Sequence, residues 1–171
     1  MSNHTRPSEE ESERKQRENN RVKTLESSQA TIIDASNLIL GRMASIVAKR
    51  LLQGENIIIV NAEKAVVSGN KKTVVQERKD FLEVGHPWKG PFHYRRPDRF
   101  VRRTIRGMLP YHQPKGKQAY KRLHVYIGVP EELKDKPMET LPEASAKKLK
   151  CSYITVGELA KEIGWNPEAA K

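Results

Sequence analysis

Asn56-Ile57-Ile58-Ile59-Val60-Asn61-Ala62-Glu63-Lys64-Ala65-Val66-Val67-Ser68-Gly69 is the stretch around which the chain is organised. Ile57 to Val60 is a short unbroken β-branched run bounded by polar residues. A strand with one wet face would alternate, so the run predicts a strand buried on both faces of a parallel sheet. A buried helix segment gives the same pattern at this length, and the β-branched content favours the strand.

Upstream, Thr31-Ile32-Ile33-Asp34 reads as a second short strand. Between the two, Leu40, Met43, Ala44, Val47 and Leu51 recur at helical spacing, with Gly54 as a stop signal. Strand, helix and strand in that order predict a right-handed parallel crossover. Downstream, Ala65 to Val67 reads as a further short strand. Lys71 to Val84 follows as a helix with Val74, Val75, Phe81 and Leu82 inward and Arg78, Lys79, Asp80 and Glu83 outward. Residues 85 to 97 form a long loop of Gly, Pro, aromatic and basic residues, and irregular loops of that length in compact domains are commonly functional. A helix from about Asp98 carries Phe100, Val101, Thr104, Ile105, Met108 and Leu109 inward until Pro110 ends it. Arg99, Arg102, Arg103 and Arg106 occupy its other face. A short helical turn through Ala119 and Tyr120 leads to a strand over Leu123 to Gly128. Thr155-Val156-Gly157-Glu158 reads as a capping box opening a short helix with Val156, Leu159, Ala160 and Ile163 inward and Trp165 packed against it.

The 171 residues suffice for one domain plus an extension. Residues 1 to 30 are the extension: polar, with equal numbers of acids and bases, they cannot bury enough surface to offset ordering entropy unless a partner supplies it. Residues 31 to 171 form the domain. The formal charge of +11 favours a polyanionic partner. Its placement says more than its size. Between residues 86 and 124 stand Lys89, Arg95, Arg96, Arg99, Arg102, Arg103, Arg106, Lys115, Lys117, Lys121 and Arg122 against one acid, Asp98. A solvated surface normally mixes signs. Here spaced arginines offer bidentate phosphate contacts, and Lys115-Gly116-Lys117 lets backbone approach a phosphate between two cations. Trp88, Phe92, Tyr94 and Tyr111 are candidates to stack on unpaired bases or wedge into an RNA junction, and each serves equally well to pack the loop down.

Other chemistry finds little support. His86, His93, His112 and His124 lack the spacing of a metal module and read as polar loop and strand residues. Gly69-Asn70-Lys71-Lys72-Thr73 lacks the glycines of a phosphate loop, and Gly41 stands alone where a dinucleotide site needs several. Asp34 and Glu63 read as capping or surface carboxylates, Asp34 placed to accept backbone N–H groups in the turn that follows it. Cys151, the single cysteine, excludes an internal disulfide and a thiolate metal site, fits a reducing compartment, and lacks a base partner as a nucleophile. Asn3-His4-Thr5 matches a glycosylation acceptor by chance, given no secretion signal. No window is apolar enough to span a bilayer, and the expected compartment is the cytoplasm. The C-terminal helix is similar to the first helix of a helix-turn-helix DNA reader, but six residues after Trp165 leave no room for a recognition helix.

Several pieces resemble the universal thirteenth-numbered family of large-subunit ribosomal proteins in its archaeal or eukaryotic form. They are Ile33-Asp34-Ala35 with Leu40-Gly41-Arg42-Met43-Ala44-Ser45, Val60 through Gly69, Arg103-Thr104-Ile105-Arg106-Gly107-Met108-Leu109-Pro110, and Lys115-Gly116-Lys117 through Arg122-Leu123-His124-Val125-Tyr126. The resemblance implies an α/β fold, a three-layer α/β/α arrangement with a small mostly parallel sheet plus basic loop and helical extensions. It also implies no enzymatic activity and no cofactor, metal or small-molecule substrate. The implied partners are large-subunit ribosomal RNA and neighbouring large-subunit proteins, with a part in subunit assembly. The residues expected to meet RNA are Trp88, Lys89, Arg95, Arg96, Arg99, Arg102, Arg103, Arg106, Lys115, Lys117, Lys121 and Arg122. The rival readings are a nucleic-acid-binding protein outside the ribosome and a small nucleic-acid-processing enzyme.

Overall fold

The computed structural model describes residues 30–86 and 88–167, so the polar extension expected over residues 1–30 lies outside the described residues but for Ala30. Strand β2 (Asn56–Val60) takes the middle of a three-stranded sheet between β1 (Ala30–Asp34) and β4 (Leu123–Val125). Its pairing with β4 is parallel, in the register Ile57 with Leu123 and Ile59 with Val125. Central placement is why Ile57 through Val60 are all buried, as the unbroken apolar run requires.

Helix α1 (Leu40–Gln53) buries Leu40, Met43, Ala44, Val47, Ala48 and Leu51, the expected stripe with one member more. Gly54 ends it with φ 108°, and its N–H closes on the carbonyls of Arg50 and Leu51. The buried stripe packs most extensively on α3 (Pro97–Met108), whose inward side chains are Pro97, Phe100, Val101 and Ile105. Thus α1 and α3 share one core with the sheet. At the far end of α1, Arg50 grips Glu139 with both terminal nitrogens, at 2.8 and 2.6 Å. The backbone of Glu139 also bonds Ile32 and Asp34, which ties the C-terminal segment to β1.

The carboxylates of Asp34 and Glu63 are structural ties. Asp34 Oδ1 accepts from Ser36 N at 3.0 Å, Ser36 Oγ at 2.8 Å and Asn61 Nδ2 at 2.8 Å. Burial raises the Asp34 pKa, but the bonds from Asn61 and Ser36 and the charge of Lys64 outweigh it, leaving it below the ordinary 3.8. Glu63 Oε2 accepts from Gly128 N at 3.0 Å. Each carboxylate therefore pins a loop that leaves the sheet.

Several expectations need correction. The short strand near Ala65 is β3 (Val66–Ser68), and it pairs antiparallel with β5 (Tyr153–Thr155) in a separate two-stranded sheet. Strand β4 ends at Val125, three residues before the expected limit, because the backbone beyond it bonds the turn after β2: Ala62 N to Tyr126 O and Asn61 N to Gly128 O. Helix α2 (Lys71–Glu83) buries only Val75 fully, while Phe81 remains 39% exposed. Arg78, expected outward, is half-buried, with its guanidinium 4.5 Å from the Phe100 ring centre. Met108, expected inward, is 42% exposed at the end of α3. Lys115-Gly116-Lys117 lies within helix α4 (Pro114–Lys121). A Cβ on Gly116 would stand 2.1 Å from the Pro110 carbonyl oxygen, so this glycine serves chain packing, and its backbone faces protein where a phosphate was expected.

The C-terminal helix α5 (Val156–Glu162) is capped as its sequence indicates, Thr155 Oγ1 accepting from Glu158 N at 3.2 Å. Val156, Leu159, Ala160 and Ile163 are buried as expected. Asn70 caps α2 in the same way, which accounts for the loop that faintly resembles a phosphate cradle. No helix among the described residues is long and apolar enough to cross a membrane.

Candidate nucleic-acid interface

The candidate interface centres on α3, and its sequence explains why the helix forms there. Pro97 occupies the first turn, where its missing N–H has no intrahelical role, and Asp98 places a negative charge at the same end. Asp98 receives Arg96 Nε at 3.1 Å, with Arg99 Nε 3.8 Å away. Once Phe100, Val101 and Ile105 are committed to the core, the 3.6-residue repeat sends Arg99, Arg103 and Arg106 to the surface and leaves Arg102 half-buried.

Every one of these arginines sits by an aromatic ring from another segment. Arg99 lies 5.8 Å from the Tyr94 ring centre, Arg102 4.6 Å from Tyr120, Arg103 5.4 Å from Phe81 and Arg106 4.3 Å from Tyr111. Tyr111 and Tyr120 themselves meet edge to face at 5.4 Å. A ring holds a guanidinium through charge and quadrupole and takes up none of its five N–H donors. The arginines are thus positioned, with donors left for an incoming anion. Burial raises the Tyr120 hydroxyl above its ordinary pKa, with Arg102 and Arg106 pulling against it. Tyr120 therefore stays a neutral platform at physiological pH.

The other expected residues divide. Lys115, Lys117 and Lys121 are exposed on α4, and Lys89, Arg95 and Arg96 are exposed in the loop before α3. His86 and Gly90 exchange backbone bonds at 3.0 and 2.8 Å, closing a tight loop that presents Trp88, 86% exposed. Phe92 beyond it is 72% exposed. Arg122 differs from the rest: its Nη2 donates to the Leu51 carbonyl at 2.7 Å, an intramolecular tie between β4 and the end of α1. Of the loop histidines, His93 is packed on Phe81 with ring centres 4.0 Å apart and lies 3.2 Å from Arg103 through Nδ1. Among the described residues, no group of three or more His, Cys, Asp or Glu could hold a metal ion.

Arg78, Phe81, Phe100 and Tyr120, whose side chains pack around the candidate face, are not among the residues that the sequence leads one to expect there. The signal for Arg78 was its position, three after Val75 and three before Phe81, which puts it on the apolar face of α2.

Comparison with known proteins identifies the family. A family model described as Ribosomal protein L13 matches residues 28–132. The chain is 52% identical over 136 residues to the large ribosomal subunit protein uL13 of Methanosarcina barkeri, covering 78% of this chain and 97% of that one. Against the protein of the same name from Methanocaldococcus jannaschii the identity is 49% over 139 residues, covering 78% and 97%. For Methanopyrus kandleri it is 48% over 139 residues, covering 79% and 87%. The three-stranded sheet, helices α1 to α4 and the aromatic supports of the arginines fall within the matched stretch, and the chain belongs to the ribosomal protein L13 family.

Proposed function

We propose that the chain is a structural constituent of the large ribosomal subunit whose arginine–aromatic face holds large-subunit RNA. Family membership supports the first half: the chain is a ribosomal protein of the large subunit, and not an enzyme. The carrying observation for the second half is that Arg99, Arg102, Arg103 and Arg106 are each supported by an aromatic ring on a tract with a single acid. Together with Lys115, Lys117 and Lys121 they neutralise phosphates from more than one RNA strand. Because the protein fold sets their spacing, the face reads RNA shape more than base order. Trp88, Lys89, Arg95 and Arg96 extend the same surface along the loop, and Arg122 contributes charge from within the fold. Neighbouring ribosomal proteins complete the surroundings. Assembly of the subunit benefits because RNA segments that repel one another are held against a common cationic surface.

The test is sedimentation of the tagged native protein in cell extract through a high-salt wash, with and without RNase. Comigration with the large subunit that RNase abolishes is the expected result. A protein that stays at the top of the gradient in both conditions contradicts the proposal.

A further inference from the structure

Between α2, α3 and the loop that joins them lies a cavity of about 220 Å³, lined among others by Arg78, Phe81, His93, Tyr94, Phe100 and Arg103. Among the described residues, no carboxylate lines it. Arg78 is the deeper cation: burial lowers its pKa, Glu77 opposes that, and Arg103 adds to the lowering. Both guanidiniums border the Phe81 ring, at 5.9 Å for Arg78 and 5.4 Å for Arg103. Arg103 Nη1 can only donate, so at 3.2 Å it makes His93 Nδ1 the acceptor and leaves the proton of the neutral ring on Nε2. That Nε2 is buried with no hydrogen-bond partner. Arg78 and Arg103 therefore bring donors to a cavity with flat aromatic walls, and among the described residues its lining has no acid to answer the cations.

A complementary ligand is flat, rich in acceptors and small. The volume falls below the ~300 Å³ where sites for whole drug-sized ligands begin, yet far exceeds the ~30 Å³ of one water, which suits a single ring system. RNA supplies such groups wherever a base leaves the stack, and proteins take these bases on aromatic side chains and arginine. Arginine donors also match the O6 and N7 acceptors of guanine.

We propose that this cavity receives one unstacked nucleotide of the bound RNA, its base against Phe81 and Tyr94, its acceptor edge toward Arg78 and its phosphate toward Arg103. The inference rests on the RNA-binding reading above and adds to it a discrete single-nucleotide subsite beside the phosphate-holding face. The exposed face gives affinity through charge. The cavity gives register, because only a base free to leave its helix can enter.

Gly107 is on the cavity wall, and a Cβ built there meets nothing within 4 Å. Gly107→Leu therefore fills the cavity without removing a charge, and Phe81→Ala removes a wall whose ring is already 39% exposed. Full-length wild type and both variants are titrated with protein-free large-subunit RNA across a salt series, with chemical probing of each nucleotide. Each variant is expected to bind about tenfold more weakly, from the loss of one base–aromatic contact. For Gly107→Leu, which leaves every arginine and its aromatic support in place, the salt slope stays at the wild-type value, and in both variants one nucleotide loses its protection while the rest of the footprint persists. Wild-type affinity and footprint in either folded variant overturn the cavity assignment, including the case in which a carboxylate from a neighbouring protein is the true occupant. A wild type without steep salt dependence contradicts the RNA-binding face itself, a result distinct from failure of the cavity alone.

Discussion

Helices α1 and α3 pack on one another, yet their outer faces are held in different ways. On α1 the buried stripe decides everything, and its outward residues Arg42, Ser45 and Lys49 are exposed side chains on a solvated face. On α3 the buried stripe settles only half of the geometry. The outward arginines are placed by Tyr94 from the loop, Tyr111 and Tyr120 from the region of α4, and Phe81 from α2. The lesson is that a helix can have two packed faces, one apolar and one cationic, when aromatic rings from other segments serve as the second surface.

The sharpest way to break this contrast is to displace α4, which carries Tyr120. Gly116→Ala drives a Cβ into the Pro110 carbonyl oxygen at 2.1 Å, and backbone cannot yield as a flexible side chain would. The expected loss is about 3 kcal/mol, the upper end for overpacking, read by urea denaturation. RNA affinity falls with it because Tyr111 and Tyr120 move away from Arg106 and Arg102. A stability loss with unaltered RNA affinity would show that the aromatic supports are dispensable.

A milder change sharpens the same point. Tyr120→Leu keeps an apolar side chain and removes the ring by Arg102. A cation–π contribution of about 0.5–1 kcal/mol predicts RNA binding weaker by roughly two- to fivefold, with a thermal midpoint close to wild type. Binding indistinguishable from wild type at several salt concentrations would remove Tyr120 from the interface.

The smallest effect belongs to the core region, where charge plays a minor part. Arg50 bonds Glu139 and holds its carboxyl below the ordinary 4.5, against a smaller opposing effect of burial. Since the folded pKa is the lower one, the contribution is complete above about pH 4.5 and is lost as pH falls through the folded value. With both side chains partly exposed, its size is a few tenths to about 1 kcal/mol. Glu139→Gln should show that deficit at pH 7 and converge with wild type in acid. A constant difference across the pH range would mean that the ion pair is not its source.

Much of the fold was legible because it follows from local repeats. The run Ile57–Val60, the α1 stripe with Gly54, and the Thr155 cap each depend on neighbours close in sequence. Strand β5 was not, since three residues with one buried side chain carry no period to detect. Arg78 was assigned outward by charge, although its spacing from Val75 and Phe81 argued otherwise; its aliphatic stem and a ring from α3 make burial tolerable. From sequence alone the Lys-Gly-Lys piece reads as backbone open to a phosphate, because the Pro110 carbonyl that demands the glycine comes close only in the folded chain. The basic tract itself was plain from charge alone, but its aromatic supports depend on which segments the fold brings beside α3.

The most direct measurement of the central claim is the salt dependence of RNA binding by wild type and by an Arg99→Gln, Arg103→Gln, Arg106→Gln variant. These three are exposed, and glutamine preserves much of each stem, while half-buried Arg102 stays in place. If they hold phosphates, the slope of log affinity against log salt becomes shallower by about 2–3, at roughly 0.7–0.9 per phosphate. A folded variant with the wild-type slope would contradict the account, because the helix would then carry charge without holding RNA.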